Sequence, residues 1–177
     1  WRISGPNILL LGSRPNSIAS DPGLPAEQCC RSNPCDCPAV LHATEKVPRQ
    51  NGVLEGMSFA DNYKTLYVNT EEPLYEDGQR AGLEDIDTYI RIFKFDVESK
   101  TNTAQYAYKL EPVAFAANPV HGFKINGVTD ILSVGNNKLL VMERSFSTGR
   151  LPSTIKLFIA ALDTAANIKD IQSLKEN

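Results

Sequence analysis

A short segment of this chain occurs twice. Residues 51–59, with the sequence NGVLEGMSF, return as residues 126–134, with the sequence NGVTDILSV. After a one-residue gap the correspondence continues through Leu66 and Leu140. The offset is therefore 75 residues at the start (126 − 51) and 74 after the gap (140 − 66). Each copy consists of an apolar run, a polar turn and a second apolar run, which is the pattern of a β-hairpin.

A repeat at this spacing constrains the fold strongly, because self-similarity is typical of proteins built from stacked equivalent units. The units here consist of strands, so the repeat predicts an all-β protein, a segment of a β-propeller with about two four-stranded blades. Blades of common propellers have about 40–50 residues, so the larger offset implies an insertion. The acidic segment 73–88 is the predicted insertion. Two blades cannot close a ring, so we expect the remainder of the propeller or a partner chain to complete it.

Strand-like runs with alternating aromatic and β-branched residues define the units. The first unit, residues 51–110, is predicted to form one blade with strands at residues 53–59, 65–69, 89–97 and 104–110. The second unit, residues 111–177, is predicted to form an incomplete blade and a tail, with strands at residues 128–134, 138–143 and 155–162.

Residues 1–50 form an irregular segment rich in proline and cysteine, with one predicted strand near residues 7–13. All four cysteines lie within the sequence CCRSNPCDC, as Cys29, Cys30, Cys35 and Cys37. Zinc sites generally use two separated cysteine pairs, so we predict disulfides, with a metal site and free thiols as the alternatives. Disulfides persist in oxidising compartments, which predicts an extracytoplasmic protein that is secreted, periplasmic or lumenal.

Composition excludes several classes of protein. The net charge is −3 at pH 7, so there is no basic field for binding nucleic acid. No apolar run approaches the roughly 18 residues of a membrane helix, so no transmembrane segment is expected. The chain starts at Trp1, which predicts a processed product, a fragment or an incomplete start.

Several short motifs, in this order, resemble the esterase-like domain of phytase-like proteins. They are LEGMSF at 54–59, KTLYV at 64–68, EEPL at 71–74 with Asp77-Gly78, RIFKFD at 91–96, YAY at 106–108, GVTDIL at 127–132 and LLVMERS at 139–145. The resemblance spans roughly residues 51–163. It implies an exported β-propeller that hydrolyses a phosphate or carboxylic ester, with acidic residues near the central channel that hold calcium.

Acidic residues of the two units provide candidate calcium ligands. Glu55 and Asp130 occupy equivalent positions in the first strand of each unit, which lines the channel in propellers. Glu71 and Glu72 end the next strand, and Glu143 ends its counterpart. Carboxylates from several chain segments suit Ca²⁺, whose ligands are hard oxygen atoms.

An alternative is that these carboxylates form ion pairs with basic residues at similar strand positions, namely Arg91, Lys94 and Arg144. The acidic residues of the insertion are predicted to form a solvated loop; they are Glu76, Asp77, Glu84, Asp85 and Asp87.

The residues 56–60, GMSFA, match the G-x-S-x-[GA] pattern of a nucleophile elbow. That motif requires a helix after the turn, and no helical pattern follows. Ser133 occupies the same position in the second unit, so we expect Ser58 to be a structural strand residue. The two histidines, His42 and His121, are expected to lie in surface loops.

Two functions remain open at this stage. One is a candidate ester hydrolase that acts on a small phosphate or carboxylic ester at a calcium-assisted acidic site. The other is a non-enzymatic extracytoplasmic module that binds another protein or serves as a structural subunit. Convergent carboxylates with a bound ion would favour the enzyme, whereas a salt-bridged channel and a loop-covered apolar face would favour the binding module.

Overall fold

The computed structural model describes Arg49 and residues 52–175. The described residues contain seven strands and no α-helix, which confirms the all-β prediction. The strands are β1 (Leu54–Ala60), β2 (Thr65–Thr70), β3 (Tyr89–Asp96), β4 (Thr101–Lys109), β5 (Lys124–Gly135), β6 (Lys138–Ser147) and β7 (Thr154–Ala161). None of the helices described is long and apolar enough to cross a membrane. The predicted strand near residues 7–13 and the four cysteines lie outside the described residues.

The strands form two antiparallel sheets. Sheet 1 has the order β1-β2-β3-β4 and sheet 2 has the order β5-β6-β7. This is the succession of hairpins that the repeat predicted, and no closed ring is present among the described residues. Strand β5 begins at Lys124, four residues before the predicted start at Val128. The earlier start was missed because Asn126 and Gly127 are poor strand formers, whereas the ladder with β6 continues through both.

The hydrophobic core lies between the two sheets. Sheet 1 contributes Tyr67, Ile90 and Ile92, which are almost fully buried. Sheet 2 contributes Leu139 and Val141 from alternate positions of β6. Residues two apart on a strand point to the same face, so this alternation places one apolar face of each sheet against the other.

The first strands of the two sheets approach each other closely. A side chain added at Gly56 of β1 would place its Cβ 2.7 Å from the backbone nitrogen of Ile131 in β5. No real Cβ comes that near, so glycine is required there. The hydroxyl of Ser58 accepts a hydrogen bond from the backbone N–H of Ser133 over 2.8 Å. These contacts fix β1 beside β5.

The face of sheet 1 that points away from the core is apolar and partly exposed. The strand register places Met57 opposite Val68 and Val68 opposite Phe93, and a parallel row joins Phe59 to Leu66 and Phe95. Met57 and Phe59 remain 58% and 47% exposed.

Candidate functional site

A cleft of about 730 Å³ lies where the connection between β2 and β3 meets the start of β5 and the end of β6. Its polar lining consists of two glutamates, two arginines and a serine, and the rest is apolar or aromatic. The lining residues are Glu71, Glu72, Tyr75, Arg80, Phe123, Ile125, Arg144, Phe146 and Ser153.

Glu71 follows directly after β2 and joins the two sheets through its backbone. Its N–H donates to the carbonyl of Val53 over 2.8 Å, and its own carbonyl accepts from the N–H of Val128 over 3.0 Å. Because both peptide groups of Glu71 are held, the position of its side chain at the cleft follows from the pairing of the sheets.

The repeated glycines make room for the two glutamates. A Cβ added at Gly127 would lie 2.8 Å from Cγ of Glu71, and a Cβ added at Gly52 would lie 2.9 Å from Cβ of Glu72. Both contacts are closer than real Cβ atoms allow. The glycine of each copy of the repeat therefore packs against a buried glutamate.

Each glutamate holds one arginine. Nε of Arg80 forms a close ion pair with Glu72, and Nη2 of Arg144 lies 3.5 Å from Glu71. The pairing of Arg144 is the one that the ion-pair alternative predicted. The glutamate side chains are buried, whereas those of Arg80 and Arg144 remain 42% and 39% exposed. The two guanidinium groups are thus held by buried carboxylates, and both arginines line the cleft.

A third arginine, Arg49, holds Tyr75, one of the residues that line the cleft. The guanidinium of Arg49 stacks over the ring of Tyr75, 4.4 Å from its centroid. Arg49 also donates to the carbonyls of Pro73, over 3.0 Å, and Gly78, over 2.5 Å. These contacts hold the short 3₁₀ turn Tyr75–Asp77 in place.

The prediction of a fully solvated acidic insertion is wrong for Asp77. Its carboxylate is buried and accepts two hydrogen bonds of 2.7 Å from Nε and Nη2 of Arg91. It also accepts the N–H of Leu174 over 3.2 Å, so it holds the C-terminal segment. Arg91 therefore pairs with the insertion rather than with a channel carboxylate.

The other end of the insertion is exposed, as predicted. Glu84, Asp85 and Asp87 lie at the surface. Lys109 forms ion pairs with Asp85 over 2.8 Å and with Asp87 over 2.7 Å. These hydrogen bonds raise the pKa of Lys109 and lower that of Asp85.

Glu143 is buried between the sheets and does not line the cleft. Its carboxylate accepts hydrogen bonds from the hydroxyl of Tyr108 over 2.8 Å, from Nδ2 of Asn126 over 2.6 Å, and from the N–H of Glu111 over 3.3 Å. Burial raises the pKa of Glu143, although these hydrogen bonds oppose the effect. Burial also raises the pKa of Tyr108.

The remaining calcium candidates lie apart from the cleft lining. Glu55 is exposed on β1, and Oδ1 of Asp130 accepts the N–H of Ile131 over 2.8 Å. Among the described residues no group of three or more histidine, cysteine, aspartate or glutamate side chains is arranged to hold a metal ion. Calcium takes six to eight oxygen ligands, so these residues do not form a calcium cage by themselves.

The nucleophile-elbow motif, residues 56–60, lies entirely within β1, so it is not a strand-to-helix turn. The hydroxyl of Ser58 accepts a hydrogen bond from the N–H of Ser133 and donates one to the carbonyl of Phe59 over 3.4 Å. His121 lies in an exposed loop, and His42 lies outside the described residues.

Comparison with protein families shows which family the chain resembles. A family model described as "Phytase-like: Esterase-like activity of phytase" matches residues 26–177, which is most of the chain. No curated protein and no solved structure matches.

Proposed function

The chain belongs to the phytase-like family, and from this premise we propose that it hydrolyses a phosphate or carboxylic ester in the cleft between the sheets. The observation that carries the proposal is the pair of arginines, Arg80 and Arg144, that buried glutamates anchor at the cleft. A guanidinium group presents several N–H donors in one plane, a geometry that matches phosphate and carboxylate oxygens.

The anchoring leaves donors available for a ligand. Arg80 is held through Nε, and no other hydrogen bond of its guanidinium occurs among the described residues. Its two terminal amino groups can therefore donate to an anion. Arg144 contacts Glu71 through Nη2 over 3.5 Å, and its side chain remains 39% exposed, so it can also donate to an anion in the cleft. Arginines that are held before the ligand arrives stabilise developing negative charge without reorganising.

A carboxylate beside these arginines supplies the base. We assign this role to Glu71, whose side chain lines the cleft beside Arg144. It accepts a proton from water as the water oxygen attacks the phosphorus or carbonyl carbon. The arginines stabilise the negative charge on the ester oxygens, and the bond to the leaving oxygen then breaks. That oxygen takes its proton from solvent.

Calcium binding, extracytoplasmic location and disulfides at the cysteines remain proposals that rest on the sequence. Calcium is proposed at Glu55 and Asp130, with Glu71, Glu72 or Glu143 as next candidates. Glu55 and Asp130 lie apart from the cleft lining, so calcium bound at these two residues would contribute to stability rather than to the hydrolytic step.

One observation favours the non-enzymatic alternative. The outer face of sheet 1 has two apolar rows whose β1 residues, Met57 and Phe59, are exposed, and the glutamates of the cleft are already ion-paired. Exposed apolar faces are typical of surfaces that bind other proteins. A module that uses this face to bind a protein partner or a further sheet needs no chemistry in the cleft.

Hydrolysis assays on the intact protein test the proposal. We expect turnover of 4-nitrophenyl phosphate or 4-nitrophenyl acetate, and a loss of about 10²-fold or more in Arg144→Gln, the scale seen on removal of a single donor to an oxyanion. The matched control is Arg150→Gln, because Arg150 is an exposed arginine outside the cleft lining. Absence of turnover for both esters in the wild-type protein would refute the enzyme and favour the binding module.

A further inference from the structure

One wall of the cleft is apolar, and the proposed function does not use it. Phe123, Ile125 and Phe146 line this wall, and the rings of Phe123 and Phe146 lie 6.2 Å apart at a 38° angle. Ile125 is opposite Phe146 in the ladder between β5 and β6. Phe123 remains 55% exposed.

We propose that the cleft takes esters whose organic part is aromatic or otherwise apolar, an inference that rests on the proposed function of the same site. Phe123 and Phe146 are then the specificity-determining residues. They contact the organic part of the substrate while Arg144 binds its anionic end.

The spacing of residues along β6 supports binding of the anionic end by Arg144 and of the organic part by Phe146. Arg144 and Phe146 are two residues apart on one strand, so their side chains point to the same face about 6.6 Å apart. A ligand that binds Arg144 through its anion therefore places the neighbouring group of the molecule beside the Phe146 ring.

Two further features are consistent with such a ligand. Tyr75 also lines the cleft, and the guanidinium of Arg49 stacks over its ring. The cleft volume of about 730 Å³ falls within the range of roughly 300–1,000 Å³ for small-molecule sites.

A simpler explanation is that these apolar side chains are exposed by chance and bind nothing. Single apolar side chains at a protein surface are common and require no special reason. Here three adjacent apolar residues line the same cleft as two anchored arginines. Charged groups on one part of a cleft and apolar side chains on another suit a ligand that has one anionic end and one apolar end.

Binding of two non-hydrolysable phosphonates to the intact protein, measured by calorimetry, tests the inference apart from catalysis. Phenylphosphonate and methylphosphonate share an anionic end and differ in the organic group. We expect phenylphosphonate to bind about tenfold or more tightly, the gain typical of burying an apolar group of this size. Phe146→Ala and Phe123→Ala should each reduce this preference while methylphosphonate affinity stays unchanged.

The control is Phe115→Ala, because Phe115 is 59% exposed and lies outside the cleft lining. It should keep the preference. Retained methylphosphonate affinity shows that a variant is folded, and the exposed Phe123 provides a second variant if the Phe146 variant does not fold.

Each other outcome is decisive. Measurable but equal binding of the two phosphonates would overturn the apolar substrate class and leave the anion site standing. A preference that survives both phenylalanine substitutions would overturn the assignment to this wall. Failure of both phosphonates to bind would overturn this inference together with the anion site of the proposed function.

Discussion

The hydroxyl oxygen of Ser58 accepts a hydrogen bond from the backbone N–H of Ser133 over 2.8 Å, and the two serines are counterparts in the internal repeat. The two copies of the motif are thus joined by a direct hydrogen bond. The contact joins the first strands of the two sheets and explains a serine within a nucleophile-like sequence without assigning it any chemistry.

Replacement of Ser58 should affect stability rather than catalysis. Ser58→Ala leaves the N–H of Ser133 without its partner, which costs about 1–3 kcal/mol of unfolding free energy. Ester hydrolysis should stay within a few-fold of wild type. Ser133→Ala is the matched control, since Ser133 contributes only its backbone to this bond. Urea unfolding and hydrolysis rates measure both effects, and a loss of activity on the order of 10³-fold in Ser58→Ala would contradict the structural role.

Substitution of a repeated glycine should displace a cleft glutamate. In Gly127→Ala the new Cβ would overlap Cγ and the carbonyl oxygen of Glu71, both 2.8 Å away. Overpacking of this kind costs about 1–3 kcal/mol, and the shift of Glu71 should also lower activity. Gly82→Ala is the control, because its Cβ would meet no atom closer than 3.9 Å. Equal urea midpoints for the two variants would show that the close packing at Gly127 is unimportant.

The buried carboxylate of Glu143 should make stability depend on pH. Burial raises its pKa above the ordinary glutamate value of 4.5, so the folded protein binds this proton more tightly than the unfolded chain does. The stabilising contribution is complete below pH 4.5 and is lost as the pH rises through the folded-state pKa.

Glu143→Gln removes this titration and preserves a neutral hydrogen-bonding side chain. We therefore expect the unfolding free energy of the wild type to fall, relative to that of the variant, as the pH rises above 4.5. Urea unfolding over a pH series gives the comparison. Parallel curves for the two proteins would mean that the pKa of Glu143 is the same in the folded and unfolded states.

Calcium should raise the melting temperature if Glu55 and Asp130 bind it. Binding to the native state alone stabilises by about 2.7 kcal/mol at one hundred times the dissociation constant. Thermal melting with Ca²⁺ and with chelator, repeated for Glu55→Gln and Asp130→Asn, measures the effect. We expect the shift to shrink in both variants. A wild-type melting temperature that is the same with Ca²⁺ and with chelator would refute the calcium site. The arginines would then be the proposed groups that bind the ester.

The four cysteines are predicted to be oxidised. Thiol titration of freshly isolated protein, denatured without reductant, should find no free thiols at Cys29, Cys30, Cys35 and Cys37. Four titratable thiols would rule out the disulfides and remove the argument for an oxidising compartment.

The sequence by itself determined the strands and their succession. Alternation of apolar residues and the polar turns at Asp61-Asn62 and Gly135-Asn136-Asn137 are local signals, and strands joined by short turns pair with their neighbours. The same signals identified Ser58 as a strand residue, because Ser133 repeats it. They also placed Glu71 and Glu72 at the end of β2, where the cleft begins.

Only the tertiary structure decided which side chains meet. Asp77 looks solvated within an acidic run, but Arg91, 14 residues away, lies where it buries that carboxylate. The β-bulges between Leu54 and Met57 and between Val128 and Asp130 interrupt the side-chain alternation, so local sequence does not reveal which face each residue occupies. Arg80 and the phenylalanine wall were not anticipated for a related reason. Arg80 pairs with Glu72 within the irregular connection between β2 and β3, and Phe123 meets Phe146 through the register of β5 and β6. Neither contact follows from the local pattern of residues, because it depends on the path of a loop or on the pairing of two strands.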